Sequence, residues 1–97
     1  MVRQLINNRG NYAANQFIIT NNGAIYFQSY NSVVAKIERN GKLVLSSYWD
    51  YSRTTSKHLY IFLASHGYSN LCSAATVRKA IANGEVTLEE VSSINII

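Results

Sequence analysis

The sequence predicts a single α+β domain: an antiparallel β-meander of three to four strands, two helices, and a short C-terminal element. Three observations carry that prediction. Apolar residues alternate with a period of two from Gln16 to about Tyr48, broken by the glycine-containing turns Asn21-Asn22-Gly23 and Arg39-Asn40-Gly41. From Leu59 onward they recur at helical spacing, at Leu59, Phe62, Leu63 and His66. Between the two regimes lies Tyr48 to Leu63, which holds the only Trp, three of seven Tyr, and a run of hydroxyls flanked by Arg53 and Lys57.

Ninety-seven residues suffice for one small core. The expected organisation is an N-terminal segment 1–14, the meander 15–48, a helical pair 52–84 and an acidic tail element 85–97. With 47% hydrophobic and 14% charged residues, the composition is that of a folded chain. No apolar run reaches the roughly 18 residues of a membrane span, and the start lacks the apolar block of a signal peptide. One cysteine, Cys72, makes no internal disulfide and fits a reducing cytoplasm. The net charge of +4 is uneven. All bases precede Gly84, while Glu85, Glu89 and Glu90 follow it. A basic body suits an anionic partner, and equally it serves solubility.

Taken in order, Val2, Leu5 and Ile6 belong to a short strand or a helical turn, and Asn7 to Asn11 to a loop. Gln16–Thr20 and Ala24–Tyr30 form a hairpin. Face-matching favours a three-residue loop that sets Ile19 opposite Ile25 and Phe17 opposite Phe27. The same logic at Arg39-Asn40-Gly41 sets Ile37 opposite Leu43 and Ala35 opposite Leu45. Ile25, Phe27, Ser29, Asn31, Val33, Ala35 and Ile37 then share one inward face. About fourteen extended residues would span roughly 45 Å, so a long central strand must bend, or fold back as separate strands, at Ser29-Tyr30-Asn31-Ser32.

The other face of this sheet carries Gln16, Ile18, Tyr26, Gln28, Tyr30, Val34, Lys36, Val44, Ser46 and Tyr48. Helices covering it would satisfy the need of a small α+β domain for a second layer. Left open, it offers Tyr26, Gln28, Tyr30, Lys36 and Tyr48 as a partner-binding surface.

A first helix starts between Ser52 and Ser56 and ends at Gly67. A second runs from about Ser73 to Asn83, burying Ala74, Val77 and Ile81. Thr87-Leu88-Glu89-Glu90 reads as the capping box of a short helical turn, and Ser92–Ile97 as a final edge strand. Hydroxyls, free backbone N–H groups and two bases make Ser52, Arg53, Thr54, Thr55 and Lys57 a candidate anion seat; a plain helix cap with solvated bases is the competing reading. Asp50 is placed to pair with Arg53. The helix pair, with Arg78 and Lys79 on its second member, also permits a helix-turn-helix reading for DNA, weakened by a long loop.

Catalytic patterns are missing. Cys72 with His58 or His66 fits no nucleophile motif, and its neighbours Leu71 and Ala74 suggest a packed thiol. Two His and one Cys make no familiar metal set, no phosphate loop is present, and no cofactor is expected. The expectation is a protein that is not an enzyme.

Tyr26-Phe27-Gln28-Ser29-Tyr30-Asn31-Ser32, then Trp49-Asp50-Tyr51-Ser52-Arg53-Thr54-Thr55-Ser56-Lys57-His58-Leu59 and Phe62-Leu63, resemble small proteins encoded by phages and prophages of Gram-positive bacteria. The resemblance spans about residues 15–65, and its specific part is the Trp-Asp-Tyr-Ser-x-Thr-Thr core. It implies a setting, the host cell cytoplasm, in which such proteins often block host defences, anti-CRISPR inhibitors among them. It carries over no residue roles.

Two functional expectations follow. The first is a non-enzymatic inhibitor docking on a host defence nuclease or its guide complex. A basic chain mimics DNA poorly, so it would cover an acidic or mixed surface or touch the guide backbone. The alternative is a binder of nucleic acid or of a signalling nucleotide. An edge strand and a tyrosine-rich face also leave room for a homodimer.

Overall fold

The computed structural model describes residues 1–90; the expected edge strand at Ser92–Ile97 lies outside them. The fold is α+β, with a six-stranded mixed sheet in the order β1-β2-β3-β4-β5-β6. The strands are β1 (Val2–Ile6), β2 (Tyr12–Asn21), β3 (Ala24–Ser29), β4 (Ser32–Ile37), β5 (Leu43–Ser46) and β6 (Thr87–Glu89). The first five form an antiparallel meander. Helices α1 (Arg53–Ser65) and α2 (Ala74–Ala82) then carry the chain back so that β6 pairs parallel to β5.

The sheet is larger than the three to four strands expected. Segment 1–14 supplies β1, and the anticipated helical turn at Thr87–Glu90 is instead the strand β6, with Val44 opposite Thr87 and Leu45 opposite Leu88. The long bent central strand is likewise replaced by two separate strands. The chain folds back at Tyr30-Asn31, pairing Ser29 with Ser32. The longest dimension of the molecule is 34 Å, less than a straight strand of that length would need.

The two glycine turns differ. At Arg39-Asn40-Gly41 the three-residue loop forms as expected, with Ile37 opposite Leu43 and Ala35 opposite Leu45. Gly41 takes φ +91°, and its N–H donates to the Glu38 carbonyl. At the first hairpin the loop has only two residues. Asn22 (φ 53°) and Gly23 (φ 82°) both adopt the left-handed backbone of a type I′ turn. Ile18 therefore faces Phe27, and Ile19 faces Tyr26, correcting the expected pairs. The even-numbered residues of β2 lie with the odd-numbered residues of β3.

A bulge between Phe27 and Gln28 shifts the β3–β4 register, so that Phe27 opposes Ala35 while Gln28 opposes Val33. Val34, the extra residue, joins the main core, and Val33 packs on the far face. This reverses the faces expected for both valines.

The main core lies between the sheet and the helices. Ile18, Phe27, Ala35, Leu43 and Leu45 meet Leu59, Phe62, Leu63 and Val77 there. Phe27 and Phe62 stack with centroids 5.6 Å apart. Ile19, Ala24, Tyr26 and Val44 form a smaller cluster on the opposite face.

Both helices begin on serine caps. Ser52 accepts from Thr55 N at 3.1 Å, and Ser73 shares a capping box with Thr76. Gly67 (φ +90°) ends α1, and Tyr68 N donates back to the Leu63 carbonyl. The Tyr68 hydroxyl in turn donates to the Gly41 carbonyl, tying the helix end to the β4–β5 turn.

Candidate functional site: a tyrosine cleft beside a basic groove

The candidate surface forms where the meander gives way to α1. After β5, Trp49 N donates to the Ser46 carbonyl and Tyr51 N to the Tyr48 carbonyl, so the chain makes two successive turns. Trp49 points into the core, and Ser56 Oγ donates to its carbonyl at 3.3 Å. Tyr48 and Tyr51 are left outside, stacked with centroids 5.1 Å apart and planes 17° apart.

Tyr30 approaches from the β3–β4 turn, and the three tyrosines border a cleft of about 290 Å³. Its buried wall holds Ser29, Val34 and Thr55. Ser29 Oγ and Thr55 Oγ1 are 3.1 Å apart, and Ser52 Oγ donates to Thr55 Oγ1 at 3.1 Å. A chain of three hydroxyls thus runs from the helix cap to the cleft.

On the other side of Tyr51 a wider groove of about 850 Å³ separates the start of α1 from α2. Arg53, Lys57 and Arg78 line it, with Asp50 as the opposing charge. Asp50 pairs with Arg78 at 3.6 Å rather than with Arg53, and the Arg78 guanidinium lies 5.6 Å from the centre of the Trp49 ring. Arg53 and Lys57, one helical turn apart, are both exposed. Tyr60 also lines the groove. Burial pushes its hydroxyl above the ordinary phenol value, against the opposing effects of a Ser56 hydrogen bond and the Arg78 charge.

The expected partner surface is therefore only partly assembled. Tyr30 (52% exposed) and Tyr48 (38%) are open, but they border the cleft on the helix side rather than a flat sheet face. Tyr26 is 4% exposed, packed with Ile19, Ala24 and Val44, and so is not a contact residue. Lys36 lies against Tyr26, 5.8 Å from its ring centre, and pairs with Glu38 at 3.6 Å. Gln28 donates through Nε2 to the Tyr30 carbonyl at 2.7 Å, supporting the turn from beneath.

The anion seat also divides. Ser52, Arg53 and Lys57 line the basic groove, whereas Thr55 is buried and turns to the tyrosine cleft. Thr54 is exposed and lines neither; its carbonyl accepts from His58 Nδ1 at 2.7 Å. Cys72 is exposed beside the groove, not packed as expected. Leu71 takes the core position next to it, and the Cys72 N–H is used by Thr76 Oγ1 at the α2 cap.

Sequence reasoning missed Tyr51, the residue with a place in both cavities. Its spacing of three from Tyr48, across a turn, was the available signal. It also missed Ser29, assigned by parity to the interior, which it reaches only as part of the cleft wall.

Among the described residues no group of three or more His, Cys, Asp or Glu is placed to hold a metal ion, and no helix is long and apolar enough to cross a membrane. The architecture is a mixed-sheet α+β domain with two helices over one face. The chain belongs to a family of unknown function, DUF8033, which matches residues 1–80. That span takes in the whole meander, α1, and most of α2. No curated protein and no solved structure matches the chain.

Proposed function

We propose that the chain is a non-enzymatic binding protein that holds a nucleic-acid strand, free or carried as the guide of a host defence complex. The working surface is the start of α1. The observation that carries the reading is the convergence of Arg53, Lys57 and Arg78 on one groove, with the exposed Tyr48–Tyr51 stack at its border. Cationic side chains follow a phosphate backbone, and aromatic rings accept bases without demanding a sequence. Ser52 lies on the same wall and caps the helix there by accepting from Thr55 N, so the attraction for phosphate rests on the bases.

The resemblance to phage-encoded proteins supports a role in blocking host defence. A basic protein that covers the guide backbone of a ribonucleoprotein would act as an inhibitor by occupation, with no chemistry of its own. The test is affinity for a short single-stranded oligonucleotide, and for a guide-loaded nuclease, across a salt series. A phosphate-led complex weakens steeply between low and moderate salt. Salt-insensitive binding that persists without nucleic acid would replace this reading with a protein interface built on buried aromatics.

A further inference from the structure

We propose that the cleft between Tyr30, Tyr48 and Tyr51 receives one unstacked nucleobase of that strand; the proposal rests on the reading above and names the second half of the site. Size is the first argument. Pockets for drug-sized ligands run from about 300 to 1,000 Å³, so a cleft of about 290 Å³ suits a single ring system. A whole oligonucleotide segment belongs in the larger neighbouring groove.

Chemistry is the second argument. The walls are phenol rings, two of them already stacked nearly parallel, and a flat heterocycle can continue such a stack. The buried wall is a hydroxyl pair, Ser29 and Thr55, in which either oxygen can be the donor. Thr55 Oγ1 also accepts from Ser52; each hydroxyl has one proton and two lone pairs, so whichever sense the Thr55–Ser29 bond takes, the pair can offer a base edge a donor or an acceptor. Such a wall tolerates more than one base.

Continuity is the third. Tyr51 belongs to both the cleft and the basic groove. A strand whose phosphates lie along Arg53 and Lys57 therefore passes the mouth of the cleft, where one base can turn in.

The backbone of Tyr30 points the same way. Its φ of 55° is a region that bulky L side chains rarely adopt. An Asn or Gly would fit the turn more easily, so the ring is held at the cleft mouth against local preference. Such outliers cluster at functional sites.

The experiment compares a fluorescently labelled eight-nucleotide single-stranded DNA with an oligomer of equal length and charge whose central nucleotides are abasic, both at low salt. Wild type should bind the base-bearing strand roughly tenfold tighter, within the range that base–aromatic stacking supplies. Tyr51→Ala and Tyr48→Ala should each reduce that ratio towards one, and a ratio that stays near ten in both folded variants overturns the base pocket. Circular dichroism melts confirm that the variants fold, and Tyr51, 73% exposed, is the safer of the two. Equal binding of the two strands by wild type overturns the base pocket and leaves the basic groove standing. Binding of neither strand overturns both.

Discussion

The main-chain N–H of Tyr30 donates to the carbonyl of Asn15 at 2.7 Å, and the two residues share a left-handed backbone, with φ of 55° and 63°. This bond carries the β2–β3 ladder one step beyond the Gln16–Ser29 pair. The Gln28 amide holds the Tyr30 carbonyl from the other side. Asn accepts the left-handed region readily. A bulky side chain there costs roughly 1–2 kcal/mol, so the ladder keeps Tyr30 where its own preference would not.

Exchanging Tyr30 separates fold from function. Tyr30→Asn is expected to leave the melting temperature unchanged or raise it by a few degrees, because Asn relieves the backbone. Tyr30→Val is expected to lower it, since β-branching is least compatible with positive φ. Both should weaken partner binding. A binding curve identical to wild type in the Asn variant would remove Tyr30 from the site.

The basic groove makes a quantitative salt prediction. Each phosphate contact to single strands contributes about 0.7 to the slope of log K against log salt. Arg53→Ala with Lys57→Ala should therefore flatten that slope by about 1.4. Both side chains are exposed, so the thermal melt should hardly move. An unchanged slope in a well-folded variant would take the groove out of the binding surface.

Phe62 is the load point between helix and sheet, fully buried and stacked on Phe27. Phe62→Ala should cost about 3–5 kcal/mol of unfolding free energy, measurable by urea titration. A loss below about 1 kcal/mol would mean that the helices sit elsewhere.

Gln16 is wholly buried; its Nε2 donates to the Ala14 carbonyl at 3.5 Å, and its Oε1 has no hydrogen-bond partner among the described residues. An unpaired buried polar group costs about 1–3 kcal/mol, so Gln16→Met should be neutral or stabilising. A clear drop in stability would mean that the Gln16 amide is paired well enough to outweigh the cost of its burial.

What could be read in the sequence depended on how cleanly each segment alternated. Around Arg39-Asn40-Gly41, the charged Lys36, Glu38 and Lys42 mark the outer face on both sides of the turn, so the loop length and register followed from the pattern. Phe17-Ile18-Ile19 is apolar at three consecutive positions, which supports either parity. The structure uses both faces, with Ile18 in the main core and Ile19 in the smaller cluster. Val33-Val34 hides a bulge in the same way, since a valine suits either side.

The helices were legible because Ser52, Gly67, Ser73 and Gly84 mark their ends. Strand β1 was not, because among its five residues only Leu5 is buried. As for the candidate site, the exposed Tyr30 and Tyr48 and the bases Arg53 and Lys57 were named from residue type and position. Their arrangement around Tyr51 was not, because it arises from two turns after Ser46 and a hairpin reversal that no local pattern encodes.

The parallel partnership of β5 and β6 has a kinetic side. Hairpins of the meander close locally, but the β5–β6 pair must close a loop of forty residues that includes both helices. Its arrival seats Val86 in the core and covers the outer edge of Val44, Leu45 and Ser46. Without β6 that row of backbone groups would be an open strand edge, so the parallel pairing both completes the core and seals the sheet.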